Sequence, residues 1–107
     1  MNIARRRHIF IAPPAVVHGD YTVGDNAVIN TGSTVNHNCR LGKAATVSPG
    51  CHVGGRVSLG ECAFLGMGVA VGPDVTIGED ALIGAGAVVL RDVPAGGRFA
   101  GIPAKPF

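Results

Sequence analysis

An aliphatic residue returns at every sixth position from Val17 to Val89 without a gap: Val17, Val23, Ile29, Val35, Leu41, Val47, Val53, Leu59, Leu65, Val71, Ile77, Ile83 and Val89. Ile11 extends the series one step upstream. The next residue is usually small or turn-forming, as at Gly24, Asn30, Asn36, Gly42, Ser48, Gly54, Gly60, Gly66, Gly72, Gly78 and Gly84. Four places after the anchors stand compact residues such as Ala27, Ser33, Cys39, Ala45, Cys51, Ala63, Ala81 and Ala87. A period of six matches neither the helical repeat nor the alternation of a long strand. It matches a chain that runs a short strand, turns, runs another and keeps winding as a β-solenoid.

A longer period lies inside the short one. Gly32, Gly50, Gly68 and Gly86 are eighteen residues apart, so three hexapeptides make one coil and these glycines stack on one corner. A corner without side chains admits positive φ and close approach of another backbone or a ligand. The residues before them, Thr31, Pro49, Met67 and Ala85, carry no charge. A second corner reads Gly19, His37, Gly55, Pro73, Arg91; a third reads Asp25, Lys43, Glu61, Glu79 and is charged throughout. The third corner is expected to face water, and the other two something less wet. The outward column Phe10, Val28, Thr46, Phe64, Leu82 is mostly apolar, which marks a protein interface. Asn26, Gly32, Asn38, Gly50, Gly68, Asp74, Asp80, Gly86 and Asp92, three places after their anchors, suit left-handed turn positions.

The 107 residues supply one domain. Few aromatics and no tryptophan would make a poor globular core, but small and aliphatic residues suit a narrow solenoid. Residues 1–10 are expected to form an N-terminal arm, 11–94 the coils (about four, with the Pro13–Pro14 turn as their cap), and 95–107 an extended C-terminal tail. A net charge of +2 makes no case for nucleic acid, and the cluster Arg5, Arg6, Arg7 reads as a solvated arm. The apolar start is short and broken by Pro13 and Pro14, unlike a signal peptide, and no stretch is long enough to cross a membrane. Cys39 and Cys51 fall in inward slots on different faces and Cys62 on a corner, so they form no disulfide framework. A reducing cytoplasm is the expected compartment.

The hexapeptide run and the ending GAGAVVLRDVPAGGRFAGIPAKPF, with its Gly-x-Pro-Ala-Lys loop, resemble the left-handed parallel β-helix of bacterial acyltransferases. The left hand comes from that resemblance. Within it, VNHNCRLGKAATVSPGCHVGGRVSLGECAFLGMG is similar to the branch of sialic-acid O-acetyltransferases and bacterial nucleotide-sugar N-acetyltransferases, through His37, Asn38, Cys39 and Gly42. The resemblance implies an all-β enzyme that transfers an acyl group, acetyl in the first instance, from acetyl-CoA to an amine or hydroxyl of a sugar or other small acceptor, nucleotide sugars included. It implies His37 as general base with Asn38 beside it, the Gly55 N–H on the thioester carbonyl, main-chain contacts from Met67 and Ala85 to pantetheine, and Lys105 near the nucleotide end. No metal is expected. Members of the branch usually carry an acidic residue where Asn38 stands, a second histidine where Thr46 stands, and a βαβ-type sugar-binding domain, for which this sequence shows no pattern; a separate chain is the expected source of one.

Imidazole is the side chain suited to accepting a proton near neutral pH. Asn38 can orient it by a hydrogen bond but cannot supply a carboxylate's charge. His37 and Gly55 share one corner, and Met67 and Ala85 another. Two corners of one prism cannot line one narrow cleft, but they can meet across a subunit boundary, so a cyclic homotrimer with three interfacial sites is expected. A zinc enzyme on a similar scaffold would need three histidines gathered together, and His18, His37 and His52 lack that spacing. His52 reads as a surface or interface residue and His18 as structural. The competing reading is a non-catalytic trimeric scaffold, or a CoA-binding remnant lacking the sugar-binding domain.

Overall fold

The computed structural model describes residues 9–107. The expected arm, with its arginine cluster and His8, lies outside the described residues apart from residues 9–10, and Phe10 already belongs to the first coil. The coils form a left-handed parallel β-helix of about five turns. That is one more than expected, because the Pro13–Pro14 turn is a corner inside the first coil and not a cap before it.

Three ladders make the faces of a triangular prism. The first face stacks Phe10–Ile11, Val28–Ile29, Thr46–Val47, Phe64–Leu65, Leu82–Ile83 and Arg98–Ala100. The second stacks Val16–Val17, Thr34–Val35, His52–Val53, Ala70–Val71 and Val88–Val89. The third stacks Tyr21–Val23, Cys39–Leu41, Ser58–Leu59 and Thr76–Ile77. Register partners within the coils are eighteen residues apart, as Val28↔Thr46, Ala70↔Val88 and Arg40↔Ser58 show.

Alternation within each short strand turns the anchors and the compact residues inward together. All the anchors from Val17 to Val89 are buried, and so are Ala27, Ser33, Cys39, Ala45, Cys51, Ala63, Ala81 and Ala87. The anchors fill the prism, and the small residues set its width. Three inward polar side chains bond the backbone of the next coil, whereas the buried Tyr21 hydroxyl has no partner among the described residues. Ser33 Oγ donates to the carbonyl of Ser48 at 2.9 Å and accepts from the N–H of Cys51. The thiols of Cys39 and Cys51 donate to the carbonyls of Gly54 and Gly66, each at 3.2 Å. Burial pushes both thiols above the ordinary cysteine range.

The corners are backbone ladders. In each, the residue with positive φ donates its N–H to the corner carbonyl one coil below: Arg56 to His37, Gly68 to Pro49, Cys62 to Lys43. Ala44, Arg56 and Cys62 occupy this left-handed position at φ of 56–58° although nothing in their side chains favours it. The register of the coil imposes the conformation. Asp92 has no positive φ; its carboxylate accepts from the Thr76 N–H instead.

The C-terminal segment is more ordered than an extended tail. The last turn is two residues short, with Leu82 paired to Arg98, and Lys105–Pro106 then returns antiparallel to Arg98–Ala100. The hairpin is tied to the top of the second face, where Ala104 donates to Val88 O and Val88 donates to Gly101 O. Arg98 lies over the Phe107 ring at 5.4 Å.

Candidate active site at the second corner

His37 stands on the second corner between two glycines. Below it, Gly19 has φ +65° and passes so close that an added Cβ would lie 2.8 Å from His37 Cβ. Above it, an added Cβ on Gly55 would lie 3.3 Å from Cε1 and 3.4 Å from Nε2 of His37. Gly55 is not in the left-handed region, so it is required here for the approach of the imidazole and not for the turn. His37 and Gly55 are therefore brought together as the corner columns predict. The carbonyl of His37 accepts from Arg56 and that of Gly55 from Asp74, while among the described residues the Gly55 N–H donates to no backbone acceptor.

The same geometry recurs on the first corner. There the carbonyls of Pro49 and Met67 are engaged, and the N–H groups of Met67 and Ala85 have no backbone acceptor among the described residues. Met67 is 62% exposed. The ladder produces these free donors: at each corner only the left-handed residue can turn its N–H along the stack, and its predecessor points its own outward. Met67 and Ala85 lie across the full width of the second face from His37, so one chain does not gather the two sets.

Asn38 follows His37 in the left-handed position, and its N–H donates to Asp20 O at 2.6 Å. One coil above it, Arg56 is held by Asp74 through both carboxylate oxygens, Nε–Oδ1 at 2.5 Å and a terminal guanidinium nitrogen to Oδ2 at 3.0 Å. The pair raises the guanidinium's pKa and holds the Asp74 carboxyl below the usual range, chiefly through those hydrogen bonds. Sequence reading passed over this pair, although an Arg and an Asp eighteen residues apart are stacked neighbours in any such coil. His52 Nδ1 is 2.9 Å from Thr34 Oγ1 on the second face. No group of three potential metal ligands occurs among the described residues.

Lys105 is separate from His37. It lines a cavity of about 450 Å3 with Val89, Leu90, Arg91, Asp92, Phe99, Pro103 and Ala104, where the closing hairpin meets the last coil. Arg91 is three coils above His37 on the same corner, or about 14 Å along the stack.

The bacterial transferase hexapeptide family (six repeats) matches residues 56–91. PerB from Caulobacter crescentus, solved with CoA and GDP-perosamine, is similar at 41% identity and a TM-score of 0.82, over 94% of this chain and 54% of that one. The acetyltransferase domain of PglB from Neisseria gonorrhoeae, solved with acetyl coenzyme A, is similar at 32% identity and a TM-score of 0.84, over 94% and 55%. The UDP-N-acetylglucosamine acyltransferase of Campylobacter jejuni, at 22% identity and a TM-score of 0.93 over 98% and 44%, shares the fold. The chain thus spans about half the length of these relatives. A comparison with curated proteins returned no match. The chain is a hexapeptide-repeat protein of left-handed β-helix fold, resembling the bacterial nucleotide-sugar N-acetyltransferases.

Proposed function

We propose that this protein is an acyl-CoA-dependent acyltransferase that moves an acetyl group to an amine or hydroxyl of a sugar, with nucleotide sugars the favoured acceptors, at sites between the subunits of a homotrimer. The acceptor's lone pair attacks the thioester carbon while His37 takes its proton. The oxyanion collapses, the C–S bond breaks, and the CoA thiolate leaves and is protonated. The Gly55 N–H faces the oxyanion, a donor whose loss typically costs about 3 kcal/mol of barrier. Asn38 adjoins the base without contributing charge.

The observation that carries this reading is the His37 imidazole against the bare Cα of Gly55, beside an N–H with no backbone acceptor among the described residues. The assembly rests on the second face. Its outward column, Val16, Thr34, His52, Ala70 and Val88, holds no formal charge, and the flanking first corner is uncharged at Thr31, Pro49, Met67 and Ala85. Joining the first corner of one copy to the second corner of the next closes a three-fold ring with this face inward. That junction brings the free N–H groups of Met67 and Ala85 to the neighbour's His37, as contacts for pantetheine. The Lys105–Arg91 cavity then offers cations to the nucleotide end of CoA. Exposed Phe10 and Phe64 extend the apolar surface onto the first face. Three free thiols accord with the reducing cytoplasm we propose as the compartment.

The test is thiol release from acetyl-CoA with amino-sugar acceptors, with mass by light scattering on the same sample. A trimer that turns over, and a His37→Ala variant that remains trimeric but loses at least a hundredfold in rate, is the expected result. Full activity in His37→Ala would remove the base assignment. A trimer that binds no acetyl-CoA would favour a scaffold.

A further inference from the structure

The outward column of the second face carries one ionisable side chain. His52 stands exposed at its middle, with Thr34 below and Ala70 above. Both neighbours are shorter than an imidazole, so the ring stands proud of the column. Thr34 Oγ1 lies 2.9 Å from Nδ1. That bond leaves Nε2 as the outer nitrogen, and Nε2 has no hydrogen-bond partner among the described residues. The rest of the column is Val16 and Val88, which offer it none.

A polar nitrogen enclosed by an apolar face is costly unless something bonds it. Three copies arranged around an axis with this face inward cannot bond one another's rings. Three equivalent Nε2 atoms are all donors or all acceptors, so their partner must lie on the axis between them. When Nδ1–H donates to Thr34, three Nε2 lone pairs converge there, which is a donor set for a divalent transition cation. One chain holds no group of three potential ligands among the described residues; a three-fold axis makes such a group by repeating a single residue.

We propose that His52 from each of three copies binds one Zn2+-class cation on the trimer axis through Nε2, with Thr34 as the positioning residue that holds each ring. Imidazole suits such metals, at metal–nitrogen distances of about 2.1 Å. Three rings fill three tetrahedral positions. Ala70, one coil above, ends at its Cβ and leaves room for water at the fourth. Each chain supplies one ligand, so the cation binds the trimer far better than the monomer and stabilises the assembly by mass action. The site rests on the assembly proposed above, with the second face inward, and on nothing about acyl transfer.

The probe is Zn2+, titrated by calorimetry into untagged protein freed of metal by EDTA, with mass by light scattering before and after. One Zn2+ per three chains is expected, with a rise in the thermal midpoint. His52→Ala should abolish this binding and leave the trimer, since the next position in the column is already alanine. Thr34→Val should weaken it about ten- to a hundredfold, as loss of a ligand's supporting bond does. Cys62→Ser and His37→Ala, which remove the exposed thiol and the corner imidazole, should bind as the parent does. A trimer that takes up no Zn2+, or takes it up equally well after His52→Ala, overturns the site and leaves the assembly standing. A chain that is no trimer even with Zn2+ present overturns the assembly and the site with it.

Discussion

The imidazole of His37 lies against the α-carbon of Gly55, one coil above, where an added Cβ would come within 3.4 Å of Nε2. That clearance is tight, and the flexible partner is the ring. Gly55→Ala is expected to leave the coil intact, since Gly55 has no positive φ, and to push His37 off the corner. Acetyl transfer should fall at least tenfold while the thermal transition hardly moves. Unchanged activity would show that the ring does not react from this position.

Ala44 is held at φ 56° by its bond to the Asp25 carbonyl. Left-handed backbone strain on a residue with a Cβ outweighs the extra chain entropy of glycine, so Ala44→Gly should stabilise the fold by about 0.5–1 kcal/mol. The urea midpoint reads this directly. A destabilised variant would mean that the corner is less strained than its φ implies.

Of the three cysteines, Cys39 and Cys51 are buried and bonded to carbonyls, and burial raises both thiols, whereas Cys62 is exposed. Because burial raises their pKa, these two thiols stay neutral, and so unreactive, to higher pH than an ordinary cysteine. A thiol reagent at pH 8 should modify one cysteine per native chain rapidly and all three only in denaturant. Peptide mapping identifies the labelled residue.

Ile77 is fully buried in the third-face column, between register partner Leu59 and the isolated bridge to Val93. Replacing it with alanine opens a cavity in a prism one side chain deep and should cost about 2–5 kcal/mol. A loss well below that in urea unfolding would indicate that adjacent coils collapse into the space.

Ala70 sits outward in the middle of the second face, between His52 and Val88. If that face encloses a three-fold axis, Ala70→Arg buries three unpaired charges together, which an apolar junction does not tolerate. Light scattering should report monomer while the β-sheet circular dichroism persists. A trimer unaffected by the arginine would place the junction on another face.

Much of the fold is legible in the chain because each hexapeptide makes the same decision. An aliphatic anchor, a turn residue and a compact residue at fixed spacing leave one way to bury the first and third together, and the eighteen-residue period follows from three such decisions per coil. The stacking of His37 with Gly55, and of Met67 with Ala85, is arithmetic on that period. The closing segment has the sequence of a tail because its anchor spacing fails after Val89, yet a turn shortened by two residues still pairs Arg98 with Leu82. A ladder needs only aligned backbone groups, not an aliphatic residue at each step.

Sequence by itself determined the coil, its three corners and which residues share each column, since those depend on period alone. Tertiary structure decided what depends on distance and direction. The His37 ring reaches over Gly55; among the described residues the N–H groups of Gly55, Met67 and Ala85 are left without backbone acceptors; Arg56 is tied to Asp74 while Arg40 is not; and Ala44, Arg56 and Cys62 are forced into left-handed backbone. The coil's register imposes these on whatever residue falls at the position, so no side-chain preference announces them in advance.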